Sequence, residues 1–423
     1  MSNRVFVLNP DHSPLMPCTP KRARKLLEAG RAAVFRRYPF TIILGAESPS
    51  AAQPLALKLD PGSKTTGLAL VLSGETGEKC IWGAELAHRG LAIKLKLLTR
   101  RAQRASRRNR KLRHRPARFL NRIRPEGWLP PSLMHRVLTT LSWARRLGRF
   151  APLSSIAMEL VSFDTHKIIN PAVRGQGYQK GTLHGTEVRA YLRHKWNNLC
   201  AYCGKKGEEV EHLTPKSRGG TDNVSNLVWS CTACNLKKST RTAEDFLAKK
   251  PALLQNIKMQ QQTSLQDAAA VNATKLRLLD ELNRLGLPVS TGDGAQTSFN
   301  RTSQGFDKAH WIDAACVGDG GAHVQIETHR PLMITAMGRG NRQRCGTDRF
   351  GFPNRHRTRQ KRFFGFQTGD IVRAVVVGGK KTGTYTGRVS VRATGSFRLP
   401  QVDGLHHRFC TTLHKGDGYG YRC

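Results

Sequence analysis

The sequence has 423 residues, too many for one compact core and suited to two to four domains. Its 70 Lys and Arg against 29 Asp and Glu give a formal net charge of +41, a self-repulsion that a polyanionic partner would relieve by displacing counterions. No apolar run approaches 18 residues and the opening MSNRVFVLNP lacks the apolar stretch of an export signal, so no membrane partner and a cytoplasmic setting are expected.

In chain order, residues 1–54 read as a small module. The apolar strand VFVLN is followed by the turn-rich DHSPLMPCTP, a basic helical stretch, a second apolar run FTIIL, and a linker AESPSAAQP. Residues 55–90 hold LALKLD, PGSKTTG and LALVL, two strands joined by a turn. A helix-compatible run occupies 91–118. From Arg100 to Arg115 it carries Arg100, Arg101, Arg104, Arg107, Arg108, Arg110, Lys111, Arg113 and Arg115 with no acid. Basic residues on every face cannot bury a side in a core, so these nine are expected to face phosphates, with Pro116 ending the helix. Segment 119–185 contains an amphipathic helix over 131–150, a strand in SSIAMEL and a Gly-rich connection.

Segment 186–245 carries two CxxC knuckles, Cys200 with Cys203 and Cys231 with Cys234. Four thiolates so spaced suit a closed tetrahedral structural Zn²⁺ site. The other six cysteines are scattered, which argues against a disulfide framework. Segment 246–337 reads as helix to about Leu285, then a strand–turn–strand in LPVSTGDGAQTSFNR, then a short helix in KAHWIDAACVG. Segment 338–423 alternates apolar residues with Gly-rich turns and suggests a small antiparallel barrel or sheet.

Between the knuckles lies VEHLTPKSRGGTDNVSNLVW, and the second knuckle continues CNLKK. This stretch resembles the HNH, or ββα-metal, nucleases. The resemblance implies that His212 is the general base, that Glu211 and Asn235 share one Mg²⁺, and that Asn226 steadies the loop. Taken singly, LDPGSKTTG with Asp60, MEL with Glu159, and HWID with His310 and Asp313 are weak signals. In this order they resemble the three split motifs of a RuvC-type RNase H fold, which implies that Asp60, Glu159 and Asp313 hold two Mg²⁺ ions with His310 assisting.

An HNH module inserted between the second and third RuvC motifs, together with PLMP at residues 14–17, makes the chain similar to the IscB family, relatives of type II CRISPR effector nucleases. Two departures are KAHW where Lys-Thr is usual and Ser239 where Gly often follows the last Lys. The implied architecture is a multidomain α/β protein: a split RuvC core, an inserted HNH domain, an arginine-rich bridge helix and a small C-terminal β domain. The implied function is RNA-guided cleavage of double-stranded DNA by a monomeric ribonucleoprotein in a prokaryotic cytoplasm. A structured omega RNA supplies the guide and the C-terminal domain helps to recognise a target-adjacent motif. HNH would cut the guide-paired strand and RuvC the displaced strand. Two other readings stay open here: an HNH homing-type endonuclease without RNA, and a non-catalytic RNA-binding or chromatin-like protein.

Overall fold

The computed structural model describes residues 2–49, 53–74, 77–109, 128–160, 189, 192–193, 195–196, 198–222, 226–262, 265–338, 345–348, 352–356 and 360–422, with backbone alone at 107–108, 261–262, 265–272 and 347.

The centre is an eight-stranded sheet. β5 (Leu55–Pro61), β6 (Thr65–Gly74) and β7 (Gly77–Ala87) run antiparallel in sequence order. β8 (Ser155–Glu159) pairs parallel with β5, and β11 (Val289–Gly292) pairs parallel with β8. On the other side β12 (Val324–Ile326) and β13 (Leu332–Ala336) run parallel to β7. Parallel neighbours require crossovers, and the two between β5, β8 and β11 carry the remaining features. The first spans helices α2 (Gly90–Asn109) and α3 (Pro131–Gly148); the second spans the cysteine-bearing unit.

β5 is central, and Leu55, Leu57 and Leu59, which alternate along one of its faces, are fully buried in the main core. α3 starts on Pro131 at its first turn, where proline's missing N–H is no loss. It buries Val137, Leu141 and Ala144, which lie four and three residues apart on one face, against the sheet's core. α2 differs. From Leu91 to Ser106 every residue except the half-buried Ile93 is exposed, including Arg100, Arg101 and Arg104. Arg107 and Arg108 lie on the same helix; Arg110, Lys111, Arg113 and Arg115 lie outside the described residues, as does Pro116.

The N-terminal module forms a four-stranded sheet, β2–β1–β4–β3, from β1 (Val5–Leu8), β2 (Pro14–Cys18), β3 (Ala32–Arg36) and β4 (Thr41–Leu44). It is less separate than its sequence suggests. Val5 and Val7 belong to its own small cluster, whereas the alternate residues Phe6 and Leu8 enter the main core, Phe6 lying 5.7 Å from Trp82.

Two sequence expectations change. The second strand expected after Val289 is a helix, α6 (Gly294–Ser303), nucleated by Asp293, whose carboxylate accepts from the Ala295 and Gln296 amides. And the C-terminal region is not confined to its own β domain. A three-stranded sheet and hairpins surround a cluster of Val372, Ala374, Phe397 and Leu405. The chain then returns, and Tyr419–Arg422 pairs antiparallel with β13 as the edge of the central sheet. Asp417 secures that return, binding Arg36 at 2.6 Å and Arg146 at 2.9 Å. Burial raises its pKa, but bonds from His414 and Tyr421 and the two arginines outweigh this and hold it well below the usual carboxylate range. Among the described residues no helix is long and apolar enough to cross a membrane, and Cys18, Cys80, Cys316, Cys345 and Cys410 are free thiols.

Candidate active sites and metal centre

The first centre forms at the ends of β5 and β8. Leu59 pairs with Met158 across these parallel strands, so the next residue on each, Asp60 and Glu159, stands beside the other. α7 (His310–Ala315) brings His310 and Asp313 to the same place from one helical face. The helix lies directly on β6 because residue 67 is glycine: a Cβ there would stand 1.8 Å from the His310 carbonyl oxygen. Ligand atoms of Asp60, His310 and Asp313 all fall within 4.8 Å of one another. His310 Nδ1 is 2.7 Å from Asp60 Oδ2, a hydrogen bond that raises the histidine pKa.

Burial raises the pKa of both Glu159 and Asp313, and the neighbouring Asp60 charge adds to it in each case. Two cations oppose this. Lys275, on the helix Leu265–Asn283, donates to Glu159 at 3.0 Å, and Arg301 of α6 lies 2.7 Å from Asp313. Glu85 of β7 accepts from the His310 backbone amide and caps α7. Three crowded carboxylates, of which Glu159 and Asp313 have raised pKa values, fit a hard divalent cation, which takes oxygen ligands and favours their charged forms.

The second centre is the cysteine-bearing unit. β9 (Glu209–His212) and β10 (Leu227–Ser230) form a hairpin, with the helix Thr232–Lys238 following. Thiols of Cys200, Cys203, Cys231 and Cys234 lie within 4.8 Å of one another. The backbone N–H of Cys234 draws the Cys231 pKa down to about 7, while burial raises that of Cys200 and Cys234. Four convergent sulfurs, one already drawn toward thiolate, fit a tetrahedral metal ion.

Successive strand residues point to opposite faces, and β9 sorts its side chains accordingly. His212 Nε2 is 2.8 Å from Asp222, which also pairs with Lys216 at 2.8 Å. Glu211 is buried and accepts from Lys238 at 2.9 Å and Tyr202 at 2.8 Å. Asn226 ties the loop together: its amide accepts from the Thr214 N–H and donates to the Thr214 and Thr221 carbonyls. Asn235 does not meet Glu211. It donates to Glu209 at 2.7 Å. The cation on Glu211 in this arrangement is the fully buried Lys238, so the residues as placed do not form a divalent-cation site shared by Glu211 and Asn235.

Several of these residues were not singled out from sequence. Glu209 could have been, because two acids two apart in EVEH share a strand face. Lys238 and Asp222 lie inside the HNH-like stretch without a role assigned from sequence, and Lys275, Arg301 and Glu85 carried no local signal.

Two regions match known family models: residues 5–181 match one described as RRXRR protein, and residues 200–241 match HNH endonuclease. The two matched regions together support an IscB-like, Cas9-related nuclease. Sequence comparison with curated proteins gives no match. Among solved structures, this IscB-like chain is similar to Streptococcus thermophilus Cas9 in complex with the GGAA PAM, at 14% identity over 63% of the chain and 32% of that structure, with a TM-score of 0.21. It is also similar to the type II-C Cas9 enzyme from Actinomyces naeslundii, at 14% identity over 47% of the chain and 29% of that structure, with a TM-score of 0.17. The chain thus spans about a third of those Cas9 structures.

Proposed function

We propose that this chain is an RNA-guided endonuclease for double-stranded DNA, in which the HNH unit cuts the guide-paired strand and the carboxylate centre on the sheet cuts the displaced strand. The observation that carries the reading is the presence of two separate constellations, Asp60 with His310 and Asp313 on the central sheet, and His212 with Asp222 on the HNH hairpin. Two sites suit two strands. A homing-type HNH enzyme or a passive binder leaves the first constellation without a purpose.

The strand order β7–β6–β5–β8–β11, three antiparallel and then two parallel, supports assigning the sheet as a split RuvC core. In this reading Asp60, Glu159 and Asp313 would hold two Mg²⁺ ions, which supply charge neutralisation at the phosphoryl oxygens and an activated water. His310, bound to Asp60, orients that carboxylate. Lys275 and Arg301 offset the charge of Glu159 and Asp313. At the HNH unit, if Nε2–H donates to Asp222, Nδ1 of His212 is left with a free lone pair, the form a general base needs. The cysteines would hold a structural Zn²⁺.

The exposed arginines of α2 would lie along the guide backbone, where each phosphate neutralised releases counterions. The guide would be an omega RNA, and residues 338–423 would help to recognise the target-adjacent motif. Expression with the flanking genomic region, followed by sequencing of co-purifying RNA, tests guidance: a discrete long RNA is expected, and its absence sinks the reading. Asp60→Ala should leave only the guide-paired strand cut, and His212→Ala only the displaced strand. Loss of both cuts from either change, with nucleic-acid binding intact, would overturn the two-site assignment.

A further inference from the structure

The C-terminal region holds an aromatic column that neither constellation uses. Arg362–Phe363 and Phe366–Gln367 form a hairpin whose two-residue turn is Phe364–Gly365. Both turn residues have positive φ, 51° and 82°. Such turns favour Asn or Gly; a bulky aromatic at positive φ is a genuine outlier, and outliers of this kind collect at functional sites.

The ring's surroundings give the outlier a direction. Phe364 lies parallel to His407, with centroids 4.0 Å apart and planes 12° apart. His407 in turn leans on Phe397, which is fully buried. Residue 395 is glycine, and a Cβ there would come within 3.0 Å of His407 and 3.2 Å of Phe364. The column is therefore seated on bare backbone. It rises from the core to an outermost residue, Phe364, that is 51% exposed and has one ring face stacked on His407.

The charge around this ring selects the occupant. Segment 360–422 contains eleven Lys or Arg, three Asp and no Glu. All three acids are engaged internally: Asp370 with backbone amides of Gln367 and Gly416, Asp403 with Arg392, and Asp417 with Arg36 and Arg146. Lys361 and Arg362 precede the turn, and Arg408 follows His407. A rigid ring, half-exposed and set among cations, matches a nucleobase joined to phosphate.

We propose that Phe364 is a stacking platform for a DNA base exposed where the duplex opens. The inference rests on residues 338–423 meeting target DNA, and it adds which atom surface they present. Aromatic side chains recognise unstacked bases in this way, and Phe is a recurrent wedge at opened base steps.

The test uses the full-length protein with its co-purified RNA and a forked DNA duplex bearing 2-aminopurine at the junction. Wild type should bind it and quench the fluorophore by stacking. Phe364→Asn, suited to the left-handed backbone, should melt at or above wild type, bind roughly tenfold more weakly and lose the quench. Phe364→Leu, of similar bulk without a π-face, should fall with it, and Phe364→Trp should retain both signals. Undiminished quenching and affinity in the Asn and Leu variants would overturn the platform alone. If the variants instead lose affinity for the same fork made of RNA but not of DNA, the DNA assignment is overturned. Failure of wild type to bind the DNA fork would sink the wider reading of residues 338–423 as well.

Discussion

The carboxylate centre gathers Asp60, Glu159 and Asp313 from three segments spread over more than two hundred residues, whereas the HNH unit draws its functional and cysteine residues from 200–238. The first is positioned by a large shared core that includes Leu57, Leu59, Trp82 and Met158. The second has only a small cluster around Tyr202, Val228 and Trp229, joined by four thiols. A distributed site inherits its precision from the sheet beneath it; a local one has to be held by a staple. The two should therefore fail in different ways.

The largest separation is expected from attacking the staple. Structural zinc contributes on the order of 10–16 kcal/mol in small domains, so Cys231→Ser, or exhaustive chelation followed by Mg²⁺ alone, should abolish cutting of the guide-paired strand. The displaced strand should still be cut. Strand-specific end labels read this directly, and simultaneous loss of both cuts would break the contrast. The reciprocal test is Gly67→Val, which pushes α7 from β6. A displacement near 1 Å should cost about a hundredfold in displaced-strand cleavage and spare the HNH cut.

Asp417→Asn tests whether the sheet depends on its returning edge. It leaves Arg36 and Arg146 without their shared carboxylate and should lower stability by about 2 kcal/mol, below the cost for a fully buried pair because these groups retain some solvent. The Asp417 pKa is depressed on folding. Its stabilisation is thus fully present above the ordinary carboxylate pKa and is lost as pH falls through the lower folded value. The melting difference between wild type and Asp417→Asn should accordingly be full at neutral pH and shrink in acid. Smallest of all, Asp222→Asn weakens a half-exposed partner of His212. A loss of about 1 kcal/mol, roughly fivefold in guide-paired strand cleavage, is expected; no change would make Asp222 a bystander.

The same contrast explains what could be read without coordinates. Cys200, Cys203, Cys231 and Cys234 were legible because they lie near one another in sequence and their spacing alone reports such a cluster, whereas His212 and Asn226 were legible through resemblance to the HNH motif around them. Asp60, Glu159 and Asp313 were legible only through resemblance to a known order of motifs. Lys275 and Arg301 were not legible at all: a lysine or arginine in a basic chain has no local mark, and only the tertiary fold places it on a carboxylate. The misread segment after Val289 has a different cause. Thr297, Ser298 and Phe299 suit a strand, but the Asp293 cap satisfies the first helical amides and decides for helix. The edge strand Tyr419–Arg422 was hidden because its partner, β13, precedes the whole C-terminal β region.

That edge strand has an architectural corollary. The chain leaves the central sheet after β13 and rejoins it at Tyr419, and the two points touch: the amides of Met337 and Gly338 both donate to the Gly418 carbonyl, at 2.8 and 3.1 Å. Everything between is a cassette whose ends already meet. Such a loop-out can be lengthened, trimmed or exchanged at one junction while the catalytic sheet keeps its strand order, provided the replacement retains an acid at 417 to meet Arg36 and Arg146. Under the proposed function, the region meeting the target-adjacent motif would then change at one junction without altering either nuclease site.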